Sequence, residues 1–431
     1  MKMPLSENYT LTADGRAIDV YRTAVADFAV VCFTGYADIC VTAKRDFESV
    51  IVRPLKSKIE TRTGGGDGGG TIRMRLSDKD RVSVEPYGLE NPLFIFCSEY
   101  IEKPAGATRV FERGTVTDAG VIELVSGDCV YIEEGAIVVG AFYADRANNI
   151  EITGNGILWG LPLHDRLIGP KRRKIRMILP IECEDVRISG ITIADAPCWN
   201  VDPTACKRVS IRGINLIGVV MSSDGIDVVG CEDVDISHCF ICVNDDCLAV
   251  KAVRYDDPRG ARDVRNVKAT DCVLWKLKCG NAIEIGYETC CEEMTGILFE
   301  DIDVIHSQYE GWQSGGVFTI HNGDRGHVHG VAYRNIRVED AHEKLIDFKI
   351  LSSKYSSDKW RGKISDIGFD GIYVLGDVLP PSIIRGYESD LGEPNLISDV
   401  TVRNLYLNGK KIAGRMNAHA IAELSTGVVF E

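Results

Sequence analysis

The sequence predicts an all-β protein in which a small β-sandwich precedes a parallel β-solenoid. Two observations point to the solenoid. Short apolar, β-branched phrases recur along the chain, often after a turn-forming Asn, Asp or Gly, and many are followed by a second strand-like phrase. A third observation points to the sandwich: the first hundred residues have short strands and polar connections but no long repeat.

Taken in order, residues 17–101 suit a small antiparallel sandwich. Their run Gly64-Gly65-Gly66-Asp67-Gly68-Gly69-Gly70-Thr71 lacks the Gly-Lys-Ser/Thr ending of a phosphate loop and reads as a flexible hairpin loop. A boundary within residues 102–116 divides the chain into a sandwich domain, 1–105, and a solenoid domain, 106–431. The first rungs fall at Gly120-Val121-Ile122-Glu123-Leu124 and at residues 135–140. Later rungs begin with Asn149-Ile150-Glu151-Ile152, Asp185-Val186-Arg187-Ile188, Arg208-Val209-Ser210-Ile211, Asp233-Val234-Asp235-Ile236, Asn266-Val267-Lys268-Ala269, Gly296-Ile297-Leu298-Phe299, Gly330-Val331-Ala332-Tyr333, Asp366-Ile367-Gly368-Phe369 and Asp399-Val400-Thr401-Val402. Spacings run from 23 residues to the mid-thirties, and alternation within each phrase turns one face inward. A rung that cannot bury its own apolar face must stack on the next. An ordinary sandwich repeats its strands at shorter intervals, about 8 to 12 residues. The N-terminal sandwich is expected to cap the first rung.

Composition narrows the function. A net charge of −14 argues against nucleic acid and anionic membrane surfaces as partners, and no apolar run approaches the length of a membrane span. The start, Met1 to Asn8, lacks the apolar stretch of a secretory signal, so the expected location is cytoplasmic. The 15 cysteines, an odd count in a long chain, read as reduced thiols. Cys198, Cys206, Cys231, Cys239, Cys242 and Cys272 lie in or beside strand phrases. Cys239–Cys242 and Cys290-Cys291 lack a second pair at zinc-site spacing, so no structural metal is expected.

The chemistry-bearing feature is a pair of acidic phrases, Ser223-Asp224-Gly225-Ile226-Asp227 and Asn244-Asp245-Asp246-Cys247, with 21 residues from Asp224 to Asp245. If each repeat is one turn of the solenoid, these acids stack on neighbouring rungs roughly 4.8 Å apart. Asp also favours tight corners, so each of Asp224, Asp227, Asp245 and Asp246 has a structural reading as a turn residue. Their convergence favours catalysis. Hydrolysis of a glycosidic bond needs one protonated carboxyl for the leaving oxygen and one carboxylate to activate water, and crowding lets a cluster hold a proton near neutral pH.

The stretch from Ile122 to about Lys349 resembles glycoside hydrolase family 28, the polygalacturonase-type right-handed parallel β-helices. The likeness runs through residues 154–160 (Gly-Asn-Gly-Ile-Leu-Trp-Gly), Ala196-Pro197-Cys198-Trp199-Asn200-Val201-Asp202-Pro203, the Asp224 phrase, and Asn244-Asp245-Asp246-Cys247-Leu248-Ala249-Val250-Lys251. The resemblance implies Asp245 as general acid, with Asp224 and Asp246 activating water. Two departures bear on substrate. The family's Gly-His-Gly element corresponds to Gly280-Asn281-Ala282, which puts Asn281 in place of histidine. Its Arg-x-Lys element corresponds to Asp347-Phe348-Lys349, which puts an aspartate where an arginine would pair with a substrate carboxylate. A neutral glycan, or one that binds its uronate elsewhere, is therefore expected. The phrase Val273-Leu274-Trp275-Lys276-Leu277-Lys278-Cys279-Gly280-Asn281 is also similar, over a shorter stretch, to glycoside hydrolase family 49, the dextranase and isopullulanase group. Those enzymes place a sandwich before the same helix and act on neutral glucans.

Candidate sugar-binding residues are Trp199, Asn281, Glu284, Trp312, His321, Arg325 and Lys349. Trp275, Tyr287 and Trp360 are further aromatic candidates, and Glu288 is a further acid. Each tryptophan has an equal claim to core packing, and His321 and Arg325 also suit a solvated turn. The favoured function is an inverting glycoside hydrolase acting on an oligosaccharide or polysaccharide without a cofactor, its acid and base expected about 6.5 to 9.5 Å apart. Two other readings belong to different classes. One is a polysaccharide lyase with calcium on the aspartates and Lys251 or Lys349 as base; the other is a non-catalytic carbohydrate-binding solenoid.

Overall fold

The computed structural model describes residues 2–66, 69–169, 172–308, 315–389 and 392–431. Residues 9–98 form two five-stranded sheets. One is ordered Arg16–Ile18, Tyr9–Ala13, Tyr36–Ala43, Gly69–Ser77, Arg62–Gly66, and the other Tyr21–Arg22, Asp27–Cys32, Leu93–Ser98, Arg81–Glu85, Ile51–Arg53. In Tyr36–Ala43 the alternation is plain: Ala37, Ile39, Val41 and Ala43 are buried while Tyr36, Asp38 and Thr42 are exposed. The sandwich is not wholly antiparallel, because Leu93–Ser98 pairs in parallel with Asp27–Cys32. The long connection that a parallel pair needs is supplied by the strands of residues 36–85.

From Arg109 onward the strands stack in parallel, rung on rung, as a right-handed parallel β-helix that runs to Phe430, apart from the antiparallel pair Leu167–Ile168 and Arg173–Lys174 and the antiparallel strand Lys410–Ile412. The repeated turn residues explain its corners. Asn149, Asp185, Arg208, Asp233, Asn266, Asp366 and Asp399 all have φ between 53° and 58°. This left-handed conformation suits Asn and Asp, and their side chains bond along the axis, as where Asn266 Nδ2 donates to Asp233 Oδ1 at 2.9 Å. Inward positions form continuous apolar columns, such as Ile226, Leu248, Ile283, Phe318 and Ile346.

The strand Leu93–Ser98 is apolar on both faces. Leu93, Ile95 and Cys97 point into the sandwich core, while Phe94 and Phe96 point at the helix. Phe240 meets both phenylalanines, at ring separations of 4.8 and 5.1 Å, and Trp275 meets Phe94 at 5.5 Å. Polar contacts extend the seam. Arg53 bridges Glu85 and Glu339 at 3.2 and 2.6 Å, Lys56 pairs with Asp303 at 2.7 Å, and His306 Nε2 lies 3.1 Å from Glu85. The sandwich therefore lies along the flank of the middle rungs instead of capping the first one, because the outward-facing Phe240 and Trp275 sit there. Trp275 is buried in this seam, packed on His306 as well as Phe94, and is not a sugar-stacking surface.

Replacing Phe94 by Ala is expected to destabilise the whole chain by about 3 kcal/mol or more. The exposed Trp360 should change little on the same substitution. Parallel denaturant melts would check both.

Candidate active site

A seven-stranded sheet of the helix carries the acids. Its strands are Ile226–Val229, Leu248–Ala252, Ile283–Thr289, Gly316–Asn322, Lys344–Ile350, Ser382–Arg385 and Ala420–Glu423. Ile226 pairs with Leu248, and Gly225 N–H donates to the Asp246 carbonyl at 2.8 Å, so the local register is 22 residues and Asp224 stacks on Asp246. The 21-residue spacing had placed Asp245 there instead. With side chains alternating, this one-residue difference gives Asp245 a separate approach to the cluster. Two glycines let the acid-bearing turn seat: a Cβ on Gly225 would lie 2.3 Å from the Cys247 carbonyl oxygen, and one on Gly280, at φ 72°, would lie 2.2 Å from the Asp245 carbonyl carbon.

Carboxyl oxygens of Asp224, Asp245 and Asp246 lie within 4.8 Å of one another. This is well inside the 6.5 to 9.5 Å expected from an inverting pair, so water has no room on the line between the nearest oxygens and must sit beside them. The residue that organises the cluster is Lys251. Its ammonium donates to Asp224 Oδ2 at 2.7 Å and lies 2.9 Å from Asp227 and 3.3 Å from Asp246. Both carboxyl oxygens of Asp227 are buried, and the Lys251 ammonium is the cation that faces them. Burial alone would lower the Lys251 pKa, but the three carboxylates outweigh it and hold the ammonium well above its usual value. Lys251 therefore stays protonated and cannot act as a lyase base.

Asp245, Asp246 and Asp227 respond to burial and to their neighbours. Burial, then Asp224 and Asp246, pushes Asp245 up to about 8, and its carboxyl accepts from Ser222 N–H at 2.9 Å. Burial raises Asp246 too, against Lys251, and raises Asp227 strongly with help from Asp224. Asp245 thus keeps its proton at neutral pH. Asn281 holds Asp246: its backbone N–H and Nδ2 both donate to Oδ1, at 3.0 and 2.9 Å. Asn200 Nδ2 holds the Asp224 carbonyl at 2.9 Å.

The remaining candidates are dispersed. Glu284 and His321 are 0% and 1% exposed and face each other at 3.0 Å, with Asp347 3.4 Å beyond His321. They form a closed ionic chain and do not offer the substrate contacts expected of them. Burial would lower His321, but Glu284 and Asp347 raise it to about 9. Lys349 and Lys344 lie 2.9 and 3.2 Å from Asp347 and share its carboxylate. The Trp199 ring is covered by Arg176 at 4.1 Å and Lys251 at 4.5 Å, which makes it a brace for the cluster instead of a sugar platform. Arg325 pairs with Glu292 and Asp358 and lines another cleft, of about 750 Å³, whose lining includes none of the three acids. Tyr287 stacks on His321, and Glu288 accepts from Tyr255 Oη at 2.7 Å. Trp312 lies outside the described residues. Among the described residues no helix is long and apolar enough to cross a membrane.

Lys251 as the centre of the cluster, and the pair Asp202–Arg176 one rung before it, escaped the sequence reading. The available signal was a lysine at an outward position of the otherwise apolar strand Leu248–Ala252.

Residues 142–378 match Glycosyl hydrolases family 28. A "Probable polygalacturonase" of Vitis vinifera is 35% identical over 109 residues, which is 24% of this chain and 21% of that protein. The chain spans from 21% to 60% of the length of the curated relatives it matches. Among solved structures, Dex49A from Penicillium minioluteum superposes with a TM-score of 0.69 at 15% identity over 96% of this chain and 90% of that one. An exopolygalacturonase from Thermotoga maritima gives a TM-score of 0.54 at 16% identity, covering 75% and 84%. At these identities the superpositions speak to the fold alone, and the Dex49A likeness takes in the sandwich as well as the helix.

Because His321 is raised from 6.5 to about 9, its ion pairs stabilise fully below pH 6.5 and are lost as pH climbs through 9. The melting temperature should fall across that window, and less steeply in a His321→Gln variant, by scanning calorimetry at stepped pH.

Proposed function

The chain belongs to glycosyl hydrolase family 28, and on that premise we propose that it is a glycoside hydrolase cleaving O-glycosidic bonds in an oligosaccharide or polysaccharide. The observation that carries the reading is the division of labour among crowded acids. Asp245 is pushed to about 8 and keeps its proton, while Asp224 is held at 2.7 Å by the Lys251 ammonium. Asp245 donates that proton to the leaving oxygen as the glycosidic bond breaks. Asp224 and Asp246 orient a water and take its proton as oxygen attacks the anomeric carbon from the opposite face, inverting it. No cofactor enters this chemistry.

The substrate is proposed to be neutral or only partly uronic. Asp347 stands in the position where an arginine would receive a carboxylate, and Lys344 and Lys349 both turn to it. A division near residues 105–106 belongs to the same proposal, supported by the change from the two sandwich sheets to the stacked rungs. So does a reducing, cytoplasmic setting, supported by the fifteen free thiols, most of them buried.

Asp245→Asn is expected to lower kcat by about 10²-fold or more with little change in substrate affinity, as measured by initial rates on a glycan panel. In the parent enzyme kcat/KM should fall as pH rises through about 8, where Asp245 loses its proton. Proton NMR of the first-formed anomer should show inversion; a retained anomer would instead fit the short oxygen separation and overturn the assignment of roles.

A further inference from the structure

The outward column that carries the acids continues toward the N-terminus. Asp227 lies beside Asp202, Asp202 beside Leu179, and Leu179 beside Tyr143. Two rungs therefore separate Leu179 from Asp227, roughly 10 Å along the axis. There the surface opens into a cleft of about 570 Å³, lined chiefly by Tyr143, Ile168, Arg173, Arg176, Leu179 and Cys198. Its walls combine two properties. Tyr143, Ile168, Leu179 and Cys198 supply apolar surface. Arg173 and Arg176 supply N–H donors but no uncompensated charge, because both pair with Asp256 and Arg176 also pairs with Asp202. Lys174 sits exposed at the rim.

The cleft is joined to the acids by one continuous wall. The Arg176 guanidinium lies 4.1 Å over the Trp199 ring, the same ring lies 4.5 Å from Lys251, and Lys251 holds Asp224. The loop that closes the far side is tied down at consecutive residues, since Tyr255 Oη donates to buried Glu288 at 2.7 Å while Asp256 receives the two arginines. A concave, mostly apolar site with a few fixed donors suits a ligand with an apolar face and hydroxyl edges. A carboxylate seated against Arg173 or Arg176 would have to compete with Asp256 or Asp202 for them.

Resting on the hydrolase reading, we infer that this cleft is a glycan subsite that takes an uncharged sugar unit of the same chain whose linkage lies over Asp224 and Asp245. Leu179 forms its floor, and Arg173 and Tyr143 meet the sugar hydroxyls.

The test uses the full-length protein carrying Asp245→Asn, so that ligands are not turned over, titrated calorimetrically with neutral gluco- and galacto-oligosaccharides of increasing length. Affinity should rise with length until the cleft is filled. Adding Leu179→Arg should weaken binding by roughly tenfold for the longer ligands, with the loss growing with length, and Leu179→Ala should do so by roughly two- to threefold. Circular dichroism and melting curves verify that each variant is folded. Length-independent affinity, an equal loss at every length, or no binding of any neutral oligosaccharide would overturn the inference. Length dependence seen only with oligogalacturonides would overturn the uncharged assignment. Turnover by the parent enzyme judges the hydrolase reading separately. Length-dependent binding with no cleavage of any bound sugar sinks that reading and leaves the subsite, whereas cleavage with Leu179→Arg retaining the full length dependence sinks the subsite alone.

Discussion

A buried ammonium holds the centre of this molecule together. Lys251 stands among Asp224, Asp227 and Asp246 with almost no access to solvent. Beside them, burial and the neighbouring carboxyls of Asp224 and Asp246 push Asp245 up to about 8. Asp245 therefore keeps its proton at neutral pH. Breaking such a pair leaves a charge buried without compensation, which costs far more than the pair itself contributes. The same arrangement that makes the cluster costly to assemble sets a proton donor beside a carboxyl held by a cation.

The solenoid explains why a cation is needed at all. Stacking repeats in register brings equivalent outward side chains to within one rung of each other, and two like charges at that distance repel by about 3 kcal/mol at an effective dielectric of about 20. Along the column Asp202, Asp227, Ala249, Glu284, Thr319 and Asp347, small or neutral residues separate the later acids. Each acid also has its own cation: Arg176, Lys251, His321 and the pair Lys344 and Lys349. The floor of the groove is thus a compensated ionic ladder. Its exposed members, not its buried ones, are available to a ligand. That is why Glu284 and His321, which a linear reading assigns to substrate, serve the scaffold instead.

The sandwich contributes to the same rigidity from the opposite side. Phe94 and Phe96 leave their own sheet's core to cover Phe240 and Trp275, and the buried Glu85 reaches both Arg53 and His306. Ordinary solenoids solve the problem of exposed ends with polar caps. Here a domain docked on the flank buries apolar residues of the middle rungs and so stiffens the part of the helix that carries the acids.

Much of this was legible in the chain. The β-branched phrases, the Asn and Asp corners and the two acidic motifs are local patterns. They determined a stacked all-β fold, the turns at Asp233 and Asn266, and the convergence of Asp224, Asp245 and Asp246. What needed the tertiary structure was whatever depends on register or on partners distant in sequence. A one-residue difference between spacing and pairing exchanged Asp245 for Asp246 opposite Asp224. The covering of Trp199 by Arg176 and Lys251, the sealing of Trp275 by Phe94, and the withdrawal of His321 into an ion chain each arise between residues brought together only by coiling. Sequence fixes which side chains can do chemistry, because that is a property of each residue and its neighbours; which of them meet water or sugar is settled only when the rungs stack.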